Sequence, residues 1–443
     1  MTRFHAVTFW LAILVGGCTT DDNDVESHNA SVNTKNAASN LTAADPKQRD
    51  DATGMSNRTP VTTPDRQETR DSAEPANPKY DGLTLVQWQQ RIKDLDPNDP
   101  ASAAAVRGLI EIVSDTDAPW YSRRQAALTL GRIGPLAKRA VPLLIDLLDE
   151  KGDIENMTPL WAAASLALFG PEASAAAPAL VERLHDKSGR EADRVAALGA
   201  LSQIGTTHSG VVPAVIRVVS SSTESDNLRG LAAETLATIG PGGSAAIPAL
   251  MRATGSKNEL LRRKSVTALG AMGTLADVAV PTLTVLLVFD ESAAVRDQAA
   301  AALAQIGSKS VSLLTHLLVD EDAEVRWRAA TSLGKIRPLA VSAAGPLKKA
   351  LRDESAVVRI CASESLWTID NNNADQFIPT LLEELTNEDR QIRIRAYRLL
   401  ISLGDKARPS IEPLKTLLSD DRPFVRQLAR KTLDNLTGAN SPK

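Results

Sequence analysis

The chain is all-α, a right-handed α-solenoid of about ten helical pairs, on three observations. Arginines recur at Arg194, Arg229, Arg262, Arg296, Arg326, Arg359, Arg393 and Arg426, at intervals of 30 to 35 residues, a repeat period in the solenoid range. After each of them Val, Ala, Leu and Ile fall at three- and four-residue steps, as at Val295, Ala299, Leu303 and Ile306, which paints one face of a helix and makes those positions core. Glycines follow the last apolar position (Gly134, Gly170, Gly205, Gly240, Gly273, Gly307 and Gly404), where a left-handed backbone ends a helix at no steric cost. In five copies a proline eight residues later (Pro142, Pro178, Pro213, Pro248 and Pro281) starts or bends the first helix of the next pair.

In chain order, Arg3 precedes the apolar run Ala6 to Gly17. That run has the length of a signal-peptide core and is too short to span a bilayer. It ends in Val15-Gly16-Gly17-Cys18, which resembles the lipobox of bacterial lipoproteins. The resemblance implies a signal peptide over residues 1–17 and lipidation of Cys18, with acyl chains holding the protein to a membrane at about 0.8 kcal/mol per buried methylene. An ordinary cleaved signal and a retained short anchor are the alternatives.

Residues 18–79 read as a disordered tether. From Thr19 to Lys79 no aromatic residue occurs and Asn, Asp, Ser, Thr and Pro prevail, so too little apolar surface exists to offset ordering entropy. A flexible coil of that length reaches about 40 Å on average and about 200 Å extended, a spacer between membrane and domain or merely filler. Residues 80–443 are the solenoid, opening with a capping helix over 80–96 in which Trp88 packs on the first pair.

Six residues before four of the repeat arginines sits an aspartate: Asp290 with Arg296, Asp320 with Arg326, Asp353 with Arg359, and Asp420 with Arg426. Proline in the first helix, aspartate at the turn and Val-Arg opening the second helix together resemble the HEAT-repeat superfamily, in particular PBS-lyase HEAT-like repeats, from about Ala101 to Leu436. The resemblance implies that these four pairs form a stacked structural ladder within and between repeats, interrupted in the second copy, where Pro159 takes the arginine position.

Charge and motifs narrow the function. Fifty basic against 54 acidic side chains leave a net charge of −4, which argues against gripping nucleic acid by counterion release. The two cysteines, Cys18 and Cys361, support neither a disulfide framework nor a metal knuckle. No phosphate loop or nucleophile elbow occurs, and the five histidines are scattered with none followed by Glu. The iron-binding His-Glu pairs of deoxyhypusine hydroxylases, an enzymatic HEAT family, are thus missing. His316 reads as a partly buried side chain, and Cys361, in the slot held by Gln298 and Arg328 elsewhere, as a helix-edge residue. No catalytic, metal or cofactor site is expected.

On a helix, the residues one, five and nine after the repeat arginine lie opposite the core. The HEAT resemblance implies that second helices line the concave surface. Trp327, Ile360 and Ile394 take the first of these positions, with Lys335, Glu364 and Arg398 further along. Read as exposed, the row is a partner-binding patch; the other reading packs it against adjoining repeats. The expectation is a non-catalytic protein-binding scaffold with an unidentified protein partner, membrane-anchored through its lipidated N-terminus in the extracytoplasmic envelope of a bacterium. A lyase-like or enzyme-associated HEAT subunit is the alternative.

Overall fold

The computed structural model describes residues 84–91, 100–150, 157–205, 208–371 and 374–438. The expected signal peptide, Cys18, the tether and most of the capping segment lie outside these residues, as does the side chain of Trp88.

The described chain is an array of repeated helical hairpins. A short helix α1 (Leu85–Arg91) precedes ten pairs: α2 (Pro100–Ser114) with α3 (Trp120–Ile133), α4 (Val141–Asp146) with α5 (Thr158–Phe169), α6 (Ala177–His185) with α7 (Glu191–Ile204), α8 (Val211–Ser220) with α9 (Asp226–Ile239), α10 (Ile247–Ala253) with α11 (Glu259–Ala271), α12 (Val280–Phe289) with α13 (Ala293–Ile306), α14 (Val311–His316) with α15 (Ala323–Ile336), α16 (Ala344–Ala350) with α17 (Ala356–Ile369), α18 (Ile378–Glu384) with α19 (Arg390–Ser402), and α20 (Ile411–Leu417) with α21 (Pro423–Thr437). Within the expected capping segment, α1 packs on the first pair, Gln89 Nε2 donating to Thr129 Oγ1 at 3.2 Å.

The period of apolar residues builds one continuous core. Val295, Ala299, Leu303 and Ile306 have no exposed surface, and the same holds for Leu109, Ile112, Leu130 and Leu144 at the start of the array. Each second helix packs on its own first helix and on the second helices before and after it. Small residues let these inner helices approach. A Cβ added at Gly270 would lie 2.9 Å from Ala302 Cα, and one at Gly334 2.9 Å from Ser365 Cα. Hydroxyls stitch the same seam: Ser332 Oγ donates to Ala300 O at 2.9 Å and Ser365 Oγ to Ala330 O at 2.8 Å.

All seven expected stop glycines have φ between 57° and 84°. Where ψ is given it lies between −132° and −140°, outside the left-handed helical well and in a region where a Cβ is strained. In six repeats the stop residue starts a seven-residue 3-10 segment that leads into the next pair, as at Gly134–Ala140. Arg337 takes this conformation without being glycine, at φ 59° and ψ −132°.

The arginine ladder is real but wired differently from the four pairs expected. In repeats five to ten the repeat arginine donates from Nη1 to the backbone carbonyl six residues earlier and to the next one: Arg296 to Asp290 O, Arg326 to Asp320 O, Arg359 to Asp353 O and Arg426 to Asp420 O, all within 2.9 Å. The guanidinium thus satisfies carbonyls orphaned at the end of the first helix and in the turn. The aspartate carboxylates face elsewhere. Asp290 and Asp353 accept the backbone N–H two residues on and pair with the arginine of the preceding repeat, Arg262 and Arg326, at 2.9 and 2.8 Å. Arg296 pairs with Glu324 rather than an aspartate, and Arg359 with the fully buried Glu384 at 2.6 Å. Asp320 closes its own turn by accepting from Asp322 N, and Asp420 pairs with Arg422. Six residues of separation span the turn, so in these four pairs the arginine side chain meets the aspartate's backbone carbonyl and not its carboxylate.

At Pro159 the rung is supplied from outside. Arg123, Arg194 and Arg229 each donate from Nε to the carbonyl ten residues earlier, Val113, Leu184 and Val219. The corresponding carbonyl in the second repeat, Leu148 O, accepts instead from Arg183 of α6.

Candidate interaction surface

The open face of the inner helices is set by the positions one, five and nine after the repeat arginine. Lys335, Thr368 and Arg398 are exposed there, and Trp327, Glu364 and Ile394 are half-buried. Ile360 is fully buried, so Trp327, Ile360 and Ile394 do not form an exposed apolar row. Further along the same helices, α15 and α17 meet almost backbone to backbone at Gly334 and Ser365. Trp327 is covered by the Arg328 guanidinium, 4.6 Å above its ring, and Arg328 is itself buried between Asp297 and Glu324. Ile360 is thus closed to a partner and Trp327 partly so.

Lys335 and Glu364 do come together. With Thr331, Arg337, Ser365 and Thr368 they line a groove between the C-terminal halves of α15 and α17. Glu364 is neutralised there by Arg395, which donates to both of its oxygens at 2.6 and 3.1 Å. Burial opposes the Arg395 charge, yet the bond to Glu364 and the contact with Cys361 outweigh it and hold the guanidinium pKa above its usual value. Cys361 is buried, not at a helix edge, with Sγ 3.2 Å from Arg395 Nη2. His316 is exposed at the end of α14, not partly buried, because the short helix turns it away from the core. Among the described residues no three His, Cys, Asp or Glu side chains cluster as a metal would need.

The sequence reading missed three contributors to this surface. Arg337 follows the same pattern as the stop glycines and lines the groove. Lys406 lies over the Trp367 ring at 5.3 Å and donates to Asn371 O. At the start of α3, Trp120 and Tyr121 are exposed aromatics, with Arg124 5.9 Å above the Trp120 ring. Trp120 and Tyr121 precede the repeat arginine, so the one-five-nine rule passes over them.

The HEAT-repeat family model matches residues 106–202, 218–288 and 280–367, more than half of the chain. Among solved structures, that of Kap95p with RanGDP superposes with a TM-score of 0.53 over 81% of this chain, at 14% identity. The structure of Kap121p bound to Nup53p gives 0.52 over 80%, at 12% identity. This chain spans 56% and 43% of the length of those two chains. The complex of CpcE and CpcF of phycocyanin lyase from Nostoc sp. PCC7120 shares 23% identity over 59% of the chain, but its TM-score of 0.32 adds nothing to the assignment of fold. No curated protein sequence matches. At these identities the structures establish a shared architecture of stacked helical hairpins, and the family model establishes descent: the chain belongs to the HEAT-repeat family.

Proposed function

We propose that this chain is a non-catalytic protein-binding scaffold, exported to the bacterial envelope and held at a membrane by a lipidated Cys18. The observation that carries the scaffold reading is the division of labour in the array. Each pair spends its apolar face on its neighbours, while the inner helices leave Lys335, Thr368 and Arg398 and the groove beside them open to solvent. A repeat architecture of this kind offers one long surface rather than an enclosed pocket. The Val15-Gly16-Gly17-Cys18 motif and the polar stretch after it support the tether.

Two experiments test the two halves. Photo-crosslinking amino acids placed at Thr267 and Thr368 on the inner row, and at Val285 on first helix α12 and Val319 in the turn just after first helix α14, are expected to give partner adducts from the inner row alone. Adducts confined to the first helices would overturn the assignment of the surface. Intact mass and membrane fractionation, wild type beside Cys18→Ala, are expected to show loss of residues 1–17, an acyl mass gain and membrane retention that depends on Cys18. A retained N-terminus in the cytosol would overturn the tether.

A further inference from the structure

Along the whole inner row, at the positions one, five and nine after each repeat arginine or its equivalent, the charged residues fall into two groups. The three carboxylates are all paired: Glu234 with Lys264 at 2.7 Å, Asp297 with Arg328 at 2.7 Å, and Glu364 with Arg395 at 2.6 Å. The cations are Arg124, Arg132, Arg263, Lys335, Arg398 and Lys431, and no ion pair joins any of them to a carboxylate among the described residues. All but the half-buried Arg124 are exposed. A chain with a net charge of −4 thus presents an inner face whose acids are cancelled internally and whose bases are not. Repeats two and three interrupt this pattern with Leu160, Ala164, Leu168 and Val195, so the longest unneutralised stretch runs from Arg263 to Lys431.

We infer that this stretch of the inner face, repeats five to ten, docks an extended acidic polypeptide segment of the partner, a deepening that rests on the scaffold reading above. Charge complementarity names the occupant. Spacing decides between acidic macromolecules. Inner helices stacked 8–10 Å apart place Arg263, Lys335 and Arg398, two repeats from one another, at steps of about 20 Å. An extended peptide covers each step in about six residues. A nucleic acid strand presents a phosphate every 3.4 Å or so, and most of those charges would face no cation here. The groove gives the segment an anchor: Lys335 and Arg337 frame it, with the Thr331 hydroxyl beside them as a donor, while the Thr368 hydroxyl is spent on Gly334 O and Ser365 O. Glu364 and the carbonyl ends of α15 and α17 also face it, which favours a singly charged carboxylate over a phosphate dianion. Arg337 holds its strained backbone at this groove, where seven other repeats place glycine.

The test is fluorescence anisotropy of the full chain with a fluorescein-labelled Gly/Ser peptide bearing a glutamate at about every sixth residue (oligo-glutamate below), beside its lysine counterpart (oligo-lysine) and oligodeoxythymidine, in wild type and in an R263E/K335E/R398E variant. Wild type is expected to bind oligo-glutamate in preference to the other two, and the variant to bind it at least about tenfold more weakly with an unchanged circular-dichroism melt. Added salt is expected to release the peptide from wild type, a readout that stands even if the variant fails to fold. Absence of oligo-glutamate binding, binding that the variant retains, or preference for oligo-lysine or oligodeoxythymidine would overturn the inference. Each of these leaves the crosslinking result intact, whereas crosslinks confined to the first helices would overturn the scaffold reading itself.

Discussion

Substituting Gly334 by alanine sets two known effects against each other at one seam. In a helix interior, alanine is worth about 1 kcal/mol over glycine. Here the added Cβ would lie 2.5 Å from Ser365 Oγ and 2.9 Å from Ser365 Cα. The hydroxyl cannot simply swing away, because it is bonded to Ala330 O at 2.8 Å, and the Cα belongs to the backbone of α17. Relief therefore requires moving one helix against the other, and because backbone must shift the overpacking cost falls in the upper part of its usual range, about 2–3 kcal/mol. The net expectation is a loss of about 1–2 kcal/mol, read as a lower urea midpoint. Gly230→Ala is the internal control: its nearest contact is the flexible Lys264 Cδ at 3.4 Å, so the propensity gain of up to about 1 kcal/mol should survive. The pair should thus shift in opposite directions. A Gly334→Ala protein as stable as wild type, or both variants moving together, would refute the claim that the inner helices meet backbone to backbone.

Arg337→Gly should stabilise the array by about 1 kcal/mol, since relief of a strained positive φ outweighs the added freedom of the unfolded chain, and denaturant melts beside the opposite change Gly307→Ala check the sign. Arg326→Met leaves Asp353, only 11% exposed, without its partner and should cost about 3–5 kcal/mol, whereas Arg408→Met, from a pair with Asp405 on open surface, should cost under about 1 kcal/mol by the same melts. Acid should destabilise the fold in two stages. Burial and the nearby Arg217 and Arg194 hold His185 below its usual 6.5, and the bond from Arg194 holds Glu224 below its usual 4.5, so for both the folded state binds fewer protons. Their contribution is present above those usual values and is lost as pH falls below about 6.5 and then below about 4.5. Stability measured across that range should decline, with Glu224→Gln flattening the lower part; stability rising on acidification would contradict both signs.

The sequence by itself determined the periodic part of this protein. Val295, Ala299, Leu303 and Ile306 are core because a helix must bury the stripe that a 3.6-residue period creates, and Gly307 stops that helix because only glycine accepts its backbone without strain. Both are local facts, the apolar stripe repeated along the array and the glycine stop in seven of the repeats, so period alone counts the pairs. Which side chains stay open was decided only by tertiary structure. Ile360 and Trp327 occupy the same helical position, yet one is fully buried and the other is shielded by Arg328, a side chain held in place by Asp297 of the preceding repeat. The aspartates six residues before the repeat arginines look like their ion-pair partners in sequence and are not, since the turn between the helices brings the arginine to a backbone carbonyl and sends the carboxylate into the turn or, at Asp290 and Asp353, to the repeat before. The electropositive inner row is likewise invisible in a net charge of −4, because it arises from which acids happen to be paired across repeats. Local periodicity fixes what a helix buries against its own pair; contacts between repeats fix what remains for a partner.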